Sequence, residues 1–208
     1  MDTATIERLL RPYVKLDEQR LQLISTYIDI LLKWNARVNL TAVRGPEEIV
    51  TRHFGESFFA AEVLRSGSVP ASAIDLGSGA GFPGVPLAID MAGTNVTLIE
   101  SNHKKSTFLR EVIAALKLKN AVVYTGRGED YPSQAELVTM RAVERFDKAL
   151  PIAVGLTVPG GRIGLMIGSG QIAHAQALDP GIEWTEPQPV PGGHSRTLLV
   201  GVKRVKVE

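Results

Sequence analysis

Ala73-Ile74-Asp75-Leu76-Gly77-Ser78-Gly79-Ala80-Gly81-Phe82-Pro83-Gly84 reads as a buried strand that runs into a glycine-rich turn, with a helix N-terminus directly after it. Glycine lets a backbone turn sharply and approach a ligand closely, because it lacks the Cβ that disfavours positive φ. Downstream the texture repeats. Short apolar runs at 73–77, 95–100, 121–125, 136–140, 162–168 and 196–203 alternate with helical segments at about 84–91, 103–117 and 144–157. Such alternation predicts right-handed crossovers and a mostly parallel sheet with helices on both faces, an α/β fold. The last run, Arg196 to Lys203, follows the turn-rich stretch Pro187 to Gly193, which has little helical signal and allows an antiparallel final strand.

Upstream, residues 1 to about 68 read as helical. From Asp17, a predicted N-cap, Leu21, Ile24, Tyr27, Ile28, Leu31, Leu32 and Trp34 follow the three-and-four spacing of an amphipathic helix. Trp34 is expected to anchor the helices to the sheet. A second helix starts at Pro46, with Glu47 and Glu48 against the positive end of its dipole and one stripe formed by Ile49, Val50, Phe54, Phe58, Ala61 and Leu64. Ser66-Gly67-Ser68-Val69-Pro70 breaks the pattern. The expected organisation is therefore an N-terminal helical extension, 1–70, and a ligand-binding domain, 71–208.

Composition bounds the chemistry. With 208 residues, 44% of them hydrophobic and 22% charged, the chain has room for one domain of about 120 to 150 residues plus an appendage. There is no cysteine, which excludes disulfides, thiolate metal sites and a cysteine nucleophile, and fits a reducing compartment. The N-terminus lacks the basic start and apolar run of a signal peptide, and no apolar stretch approaches the roughly 20 residues a bilayer needs. A cytoplasmic protein with no membrane partner is expected. His53, His103, His174 and His194 form no ligand spacing, so no metal is expected.

Three readings of the glycine turn compete. Gly79-Ala80-Gly81-Phe82-Pro83-Gly84 matches the G-x-G-x-x-G dinucleotide fingerprint, as in an NAD-binding oxidoreductase or regulatory module, and a purely structural loop is the third reading. Asp75 separates them. A carboxylate at the strand end repels a pyrophosphate but suits the ammonium and sulfonium of S-adenosylmethionine, and the spacing Asp75, Gly77, Gly79, Gly81 resembles motif I of the Rossmann-like class I methyltransferases. Ser78 lies in the same turn. Glu100 closes the second strand, where a carboxylate accepts hydrogen bonds from both ribose hydroxyls of a bound adenosine. Gly126-Arg127-Gly128-Glu129-Asp130 follows the third strand, and Gly128 and Glu129 are candidates for the adenine edge.

The reaction narrows by exclusion. Methylation at C5 of a pyrimidine normally needs a cysteine nucleophile. Exocyclic-amine enzymes commonly carry an Asn or Asp-Pro-Pro-aromatic motif after the fourth strand, where this chain has Val138-Thr139-Met140-Arg141-Ala142. A guanine N7 already presents an in-plane lone pair and needs no general base, so no catalytic acid or base is assigned. A net charge of only +1 conceals a local excess. Lys104, Lys105, Arg110, Lys117, Lys119 and Arg127 face only Glu111 between 101 and 128, whereas 1–70 balances at nine and nine. Part of that excess is a solvated helix face. Arg127, Arg141 and Arg196 sit at predicted strand ends on the ligand edge and are candidates to hold RNA.

Leu31-Leu32-Lys33-Trp34-Asn35, Val38-Asn39-Leu40-Thr41-Ala42-Val43-Arg44, Arg52-His53 and the glycine turn together resemble the bacterial RsmG (GidB) family, over nearly the whole chain. Those are 16S ribosomal RNA methyltransferases acting on N7 of guanine 527. The resemblance implies a Rossmann-like class I methyltransferase with a seven-stranded-type sheet, S-adenosyl-L-methionine as cofactor, and 16S rRNA or the small ribosomal subunit as partner. It places cofactor contacts on Gly77, Phe82, Gly128 with Glu129, and Arg141, and a basic cluster on Arg127, Arg141 and Arg196. A small-molecule methyltransferase is the remaining alternative, and a monomer is expected. Two positions depart from the family pattern: Glu56-Ser57 stands where an aspartate-serine pair is usual, and Ile167-Gly168 where a lysine-glycine is expected. Asn35 and Asn39 also read as capping or turn residues.

Overall fold

The computed structural model describes residues 1–143, 145–193 and 195–205. Residue 144, the expected start of a helix, His194 among the four histidines, and 206–208 at the end of the expected second domain lie outside them. Helices α1 (Thr3–Leu10), α2 (Glu18–Asn35) and α3 (Pro46–Ile49), a π-helical segment (Val50–Gly55) and α4 (Glu56–Arg65) precede the first strand. Then come β1 (Ser72–Leu76), α5 (Gly84–Asp90), β2 (Asn95–Glu100), α6 (His103–Leu116), β3 (Ala121–Thr125), β4 (Ala135–Arg141), α7 (Phe146–Leu156), β5 (Thr157–Gly168), α8 (Ile172–Leu178), β6 (Ile182–Trp184), β7 (Gln188–Pro189) and β8 (Arg196–Lys203).

The eight-stranded sheet runs β3-β2-β1-β4-β5-β8-β6, with β7 added beside β8. Strands β1 to β5 are parallel and β8 is antiparallel to β5, as the turn-rich approach to it allows. From β1 the chain first winds outward through β2 and β3, then returns to lay β4 on the other side. That reversal opens a crevice beyond the carboxyl ends of β1 and β4, where ligands bind in such sheets. One core cluster joins α1, α2 and α4 to α6 with Ala73, Val96, Leu98 and Leu137 on one face. The other packs Ala149, Leu150 and Ala153 of α7 on Ile74, Val138 and Ile163. The helices of 1–70 thus share a core with the sheet.

Local chemistry explains most boundaries. Asp17 Oδ1 accepts the Arg20 N–H at 2.8 Å, and Asn102 Oδ1 accepts those of Lys104 and Lys105 at 3.0 and 3.2 Å, so α2 and α6 each begin on a side-chain cap. The single helix expected from Pro46 is instead interrupted: from Val50 to Gly55 it is π-helical. Wider turns of this kind insert a residue and rotate the helix downstream of them, and they recur at functional sites. Helix α8 and strand β6 have no counterpart in the sequence reading; α8 is only seven residues long, and its stripe of Ile172, Ala175 and Leu178 buries only Ala175 fully. Trp34 is half-buried and packs against the core through α6, its ring edge-on to Phe108 (5.8 Å) and its Nε1 donating to Glu111 Oε2 at 2.9 Å, so it ties α2 to that helix.

Helix α6 ends on Lys117 in the left-handed conformation, φ 55°. This position favours glycine, which has no Cβ to strain. Lys117→Gly is therefore expected to raise stability by about 1 kcal/mol, read as a higher urea midpoint at unchanged m-value.

Candidate functional site

The turn after β1 is built from both strands beside it. Gly77 and Ser78 N–H both donate to Ile99 O (2.9 and 3.0 Å), and the Gly81 N–H donates to Ser78 O at 2.6 Å. Gly77, Gly79 and Gly81 all have positive φ (72°, 55° and 86°). Gly81 must also be glycine for space, since a Cβ there would strike the Tyr27 hydroxyl. A Cβ on Gly79 would meet only Gly77 O, at 3.8 Å, so the turn is open on that side.

Asp75 lies beneath this turn, 1% exposed. Its carboxylate accepts the Thr139 hydroxyl at 2.9 Å and the Gly84 N–H at 3.1 Å, and so ties β1 to β4 and to the start of α5. Burial raises its pKa to about 6 against the bonds from Ser78, Thr139 and Gly84, which lower it. Asp75 is not among the side chains on the cavity wall; its bonds hold the turn from below.

A cavity of about 690 Å³ opens at the carboxyl ends of β1 and β2. Gly77, Ser78, Gly79, Phe82 and Glu100 line it, together with Thr41 from the turn between α2 and α3. Glu100 Oε2 accepts the Gly79 N–H at 2.9 Å and Oε1 the Asn102 N–H at 2.7 Å. These bonds fix the carboxylate on the wall. The β3 loop adjoins through the Gly126 N–H, which donates to Glu100 O at 3.2 Å. Gly128 and Glu129 themselves are off the wall: Gly128 is buried against Leu76 and Ile152, and Glu129 pairs with Arg127 at 3.6 Å.

The opposite wall is a cluster that only the folded chain assembles. His53 stacks on Phe82 (centroids 4.9 Å, planes 22°). Burial, with the positive charges of Arg141 and Arg52, lowers its pKa to about 3, so the ring is neutral. Arg141 Nη2 donates to Arg52 O (2.6 Å) and His53 Nδ1 (3.2 Å), and lies 3.1 Å from Glu56 Oε2. Arg196 Nε lies 2.5 Å from Glu56 Oε1 and pairs with it as a second guanidinium on the same carboxylate. Glu56 is 2% exposed, and burial holds its carboxyl above the usual range even between two guanidiniums. A second cavity of about 250 Å³, lined by Glu56, Arg196, Phe146 and Gln171, shares Arg52 and Arg141 with the first.

Two of the three predicted RNA arginines therefore converge and one does not. Arg127 follows β3 at the far edge of the sheet, is 72% exposed, and lines neither cavity. Sequence reasoning missed Glu56 as the hub of this cluster, although its departure from the family's aspartate marked the position. Asn35 proves to be a turn residue: its Oδ1 accepts the Leu40 and Thr41 N–H groups, both at 3.0 Å. Asn39 Oδ1 accepts from Arg44 at 2.9 Å. Among the described residues no group of three or more His, Cys, Asp or Glu side chains is placed to hold a metal, and no helix is long and apolar enough to cross a membrane.

Several solved methyltransferases share this architecture. A predicted O-methyltransferase from Agrobacterium tumefaciens superposes with a TM-score of 0.60 at 22% identity, over 73% of this chain and 82% of its own. A Bacillus cereus O-methyltransferase solved with SAH gives 0.60 at 18% identity, over 85% of this chain and 90% of that one. At these identities the likeness concerns the fold. Sequence relatives are more specific. A Roseiflexus castenholzii protein named ribosomal RNA small subunit methyltransferase G is 38% identical over 204 residues, 91% of this chain and 86% of the relative. One of the same name from Xanthomonas euvesicatoria is 39% identical over 184 residues, 86% of this chain and 84% of the relative. The model of the GidB family, rRNA small subunit methyltransferase G, matches residues 20–190. With the glycine turn, the acid closing β2 and the Thr41–His53 wall in one crevice, this chain belongs to the GidB family of small-subunit rRNA methyltransferases.

Proposed function

We propose that the protein transfers a methyl group from S-adenosylmethionine to N7 of a guanine in small-subunit ribosomal RNA, the position that the family resemblance puts at 527 in the 530 loop of 16S rRNA. The cavity fits the cofactor. Gly79 leaves it open where a side chain would fill it, and Glu100 stands fixed at its rim with a carboxylate for ribose hydroxyls. In this reading Gly77, Ser78, Gly79 and Phe82 hold the methionine end and Asp75 keeps the turn in shape beneath. The β3 loop, tied to Glu100 through Gly126, is the element proposed to meet the adenine edge, with Gly128 and Glu129 just off the cavity wall. Bound there, the cofactor supplies an electrophilic methyl on its sulfonium.

The observation that carries the N7 assignment is what the ionisable groups on the wall are doing. His53 is neutral and bonded at both nitrogens, to Arg141 and Thr41. Glu48 pairs with Arg52 at 2.7 Å, and Glu100 accepts two backbone N–H groups. Each is committed to a bond within the protein, which suits an acceptor nitrogen that reacts through its own lone pair. What the chain contributes is position: holding N7 in line with the methyl, with orientation supplying most of the rate.

Arg127 and Arg196, 72% and 34% exposed, are proposed to reach RNA phosphates together with Lys105, which lines the first cavity, and the exposed Lys104 beside it. Arg141, 13% exposed and on the wall of both cavities, is proposed to organise His53 and Glu56 there. We also propose a metal-free, cytoplasmic monomer in which 1–70 is the helical extension and 71–208 the methyltransferase domain. Incubation with labelled S-adenosylmethionine and small ribosomal subunits is expected to label the RNA. Turnover without RNA would instead point to a small-molecule enzyme, and binding of NAD without S-adenosylhomocysteine to a dinucleotide module.

A further inference from the structure

Thr41 is fixed at every polar atom but one. Its N–H donates to Asn35 Oδ1 at 3.0 Å and its carbonyl accepts from Asn35 Nδ2 at 3.1 Å. Its hydroxyl oxygen accepts the Val43 N–H at 3.1 Å. The remaining partner is His53 Nε2, at 2.8 Å, and the far side of the ring sets the direction of that bond. Arg141 Nη2 lies 3.2 Å from His53 Nδ1, and a guanidinium only donates. Nδ1 therefore carries the lone pair, the neutral ring keeps its hydrogen on Nε2, and Nε2 donates to Thr41. A hydroxyl has two lone pairs and one hydrogen. Both lone pairs of Thr41 are occupied, its hydrogen is bonded to no acceptor among the described residues, and the residue stands on the wall of the cavity that the glycine turn also lines.

We propose that Thr41 donates this hydrogen bond to O6 of the target guanine and thereby selects guanine over adenine at the methylated position, an assignment that rests on the guanine-N7 reading above. Guanine presents O6 beside N7, two acceptors on one edge, whereas adenine presents an amino donor beside N7. An unconstrained hydroxyl serves either base by exchanging roles. Thr41 is denied that exchange. With both lone pairs filled it meets an adenine amine donor to donor, and sites built around one hydrogen bond reject an analogue that lacks it. Arg141 and His53 are then positioning residues, which act through the hydroxyl they orient.

The test uses the full chain and small subunits reconstituted with RNA carrying guanosine or 2-aminopurine riboside at the target; the latter keeps N7 and has hydrogen in place of O6. Thr41→Val is expected to lower kcat/KM on guanosine particles by roughly tenfold to a hundredfold and on 2-aminopurine particles by less than about threefold. S-adenosylhomocysteine affinity should stay unchanged, and Thr41→Ser, which keeps the donor, should restore most of the loss. Nitrogen-15 shifts of the His53 ring should report hydrogen on Nε2. An equal loss on both particles would make Thr41 structural and overturn the proposal. So would weakened S-adenosylhomocysteine binding, which would turn its hydrogen towards the cofactor, or hydrogen on Nδ1. Failure of the underlying reading shows separately, as wild-type label on an atom other than guanine N7, and overturns both.

Discussion

Glu56→Ala is expected to destabilise the protein by about 3 kcal/mol, the largest loss from any single charge at this site. Removing one partner of a buried ion pair leaves the other charge without compensation, and that desolvation penalty exceeds what the intact pair contributes. Arg141 bears most of it. Its side chain is 13% exposed and its Nη1 has no hydrogen-bond partner, so Glu56 at 3.1 Å is the charge that offsets its burial. Arg196, 34% exposed, recovers part of its loss from water. Glu56→Gln keeps the shape and one acceptor and should cost less. Urea denaturation of the two variants and the wild type checks the order; a wild-type midpoint for Glu56→Ala would mean that the arginines are solvated.

Gly77→Asp is expected to lower S-adenosylhomocysteine affinity more than about a hundredfold while costing only about 1 kcal/mol of stability. The two effects separate because of where the side chain goes. Aspartate tolerates left-handed backbone better than most residues, and φ at Gly77 is 72°. A Cβ there meets the Val143 side chain at 3.4 Å, a contact that a small shift accommodates. The carboxylate, however, projects towards Val143, itself on the cavity wall, and so puts bulk and charge where a ligand must sit. Calorimetry with S-adenosylhomocysteine on a variant shown to be folded tests this, and binding within about threefold of wild type would remove the turn from the cofactor site.

The parallel sheet was legible because each strand is a short apolar run with a helix after it, and Gly77 to Gly84 marks where strand and helix join. Glu100 was legible for the same reason: it closes a run. Depth was not. Asp75 sits at the strand end, but its carboxylate lies beneath the turn, bonded to Thr139 and Gly84, and nothing local in the sequence says so. The three arginines share the ligand edge in a strand-by-strand reading, yet the sheet order puts β3 at one side and β4, β5 and β8 at the other. Gly168 and Arg196 pair directly across β5 and β8, which brings Arg196 to Glu56 and leaves Arg127 apart. The wall of Thr41, His53 and Arg141, with Asn35 holding Thr41 from behind, is legible as a family pattern but not as a network, since its members come from α2, a turn, a π-helical segment and β4. The π-helical segment itself has no sequence periodicity that announces it.

Mapping the methylated atom tests the account most directly. Small subunits lacking the modification are incubated with the protein and S-adenosylmethionine, and the RNA is then cleaved by reduction and aniline, which cuts at N7-methylguanosine. One new cut at the 530-loop guanine, present with wild type and absent with Gly77→Asp, is the predicted result. Methyl transfer to the RNA with no such cut would contradict the account, because it would place the methyl on an atom that this site is not built to serve.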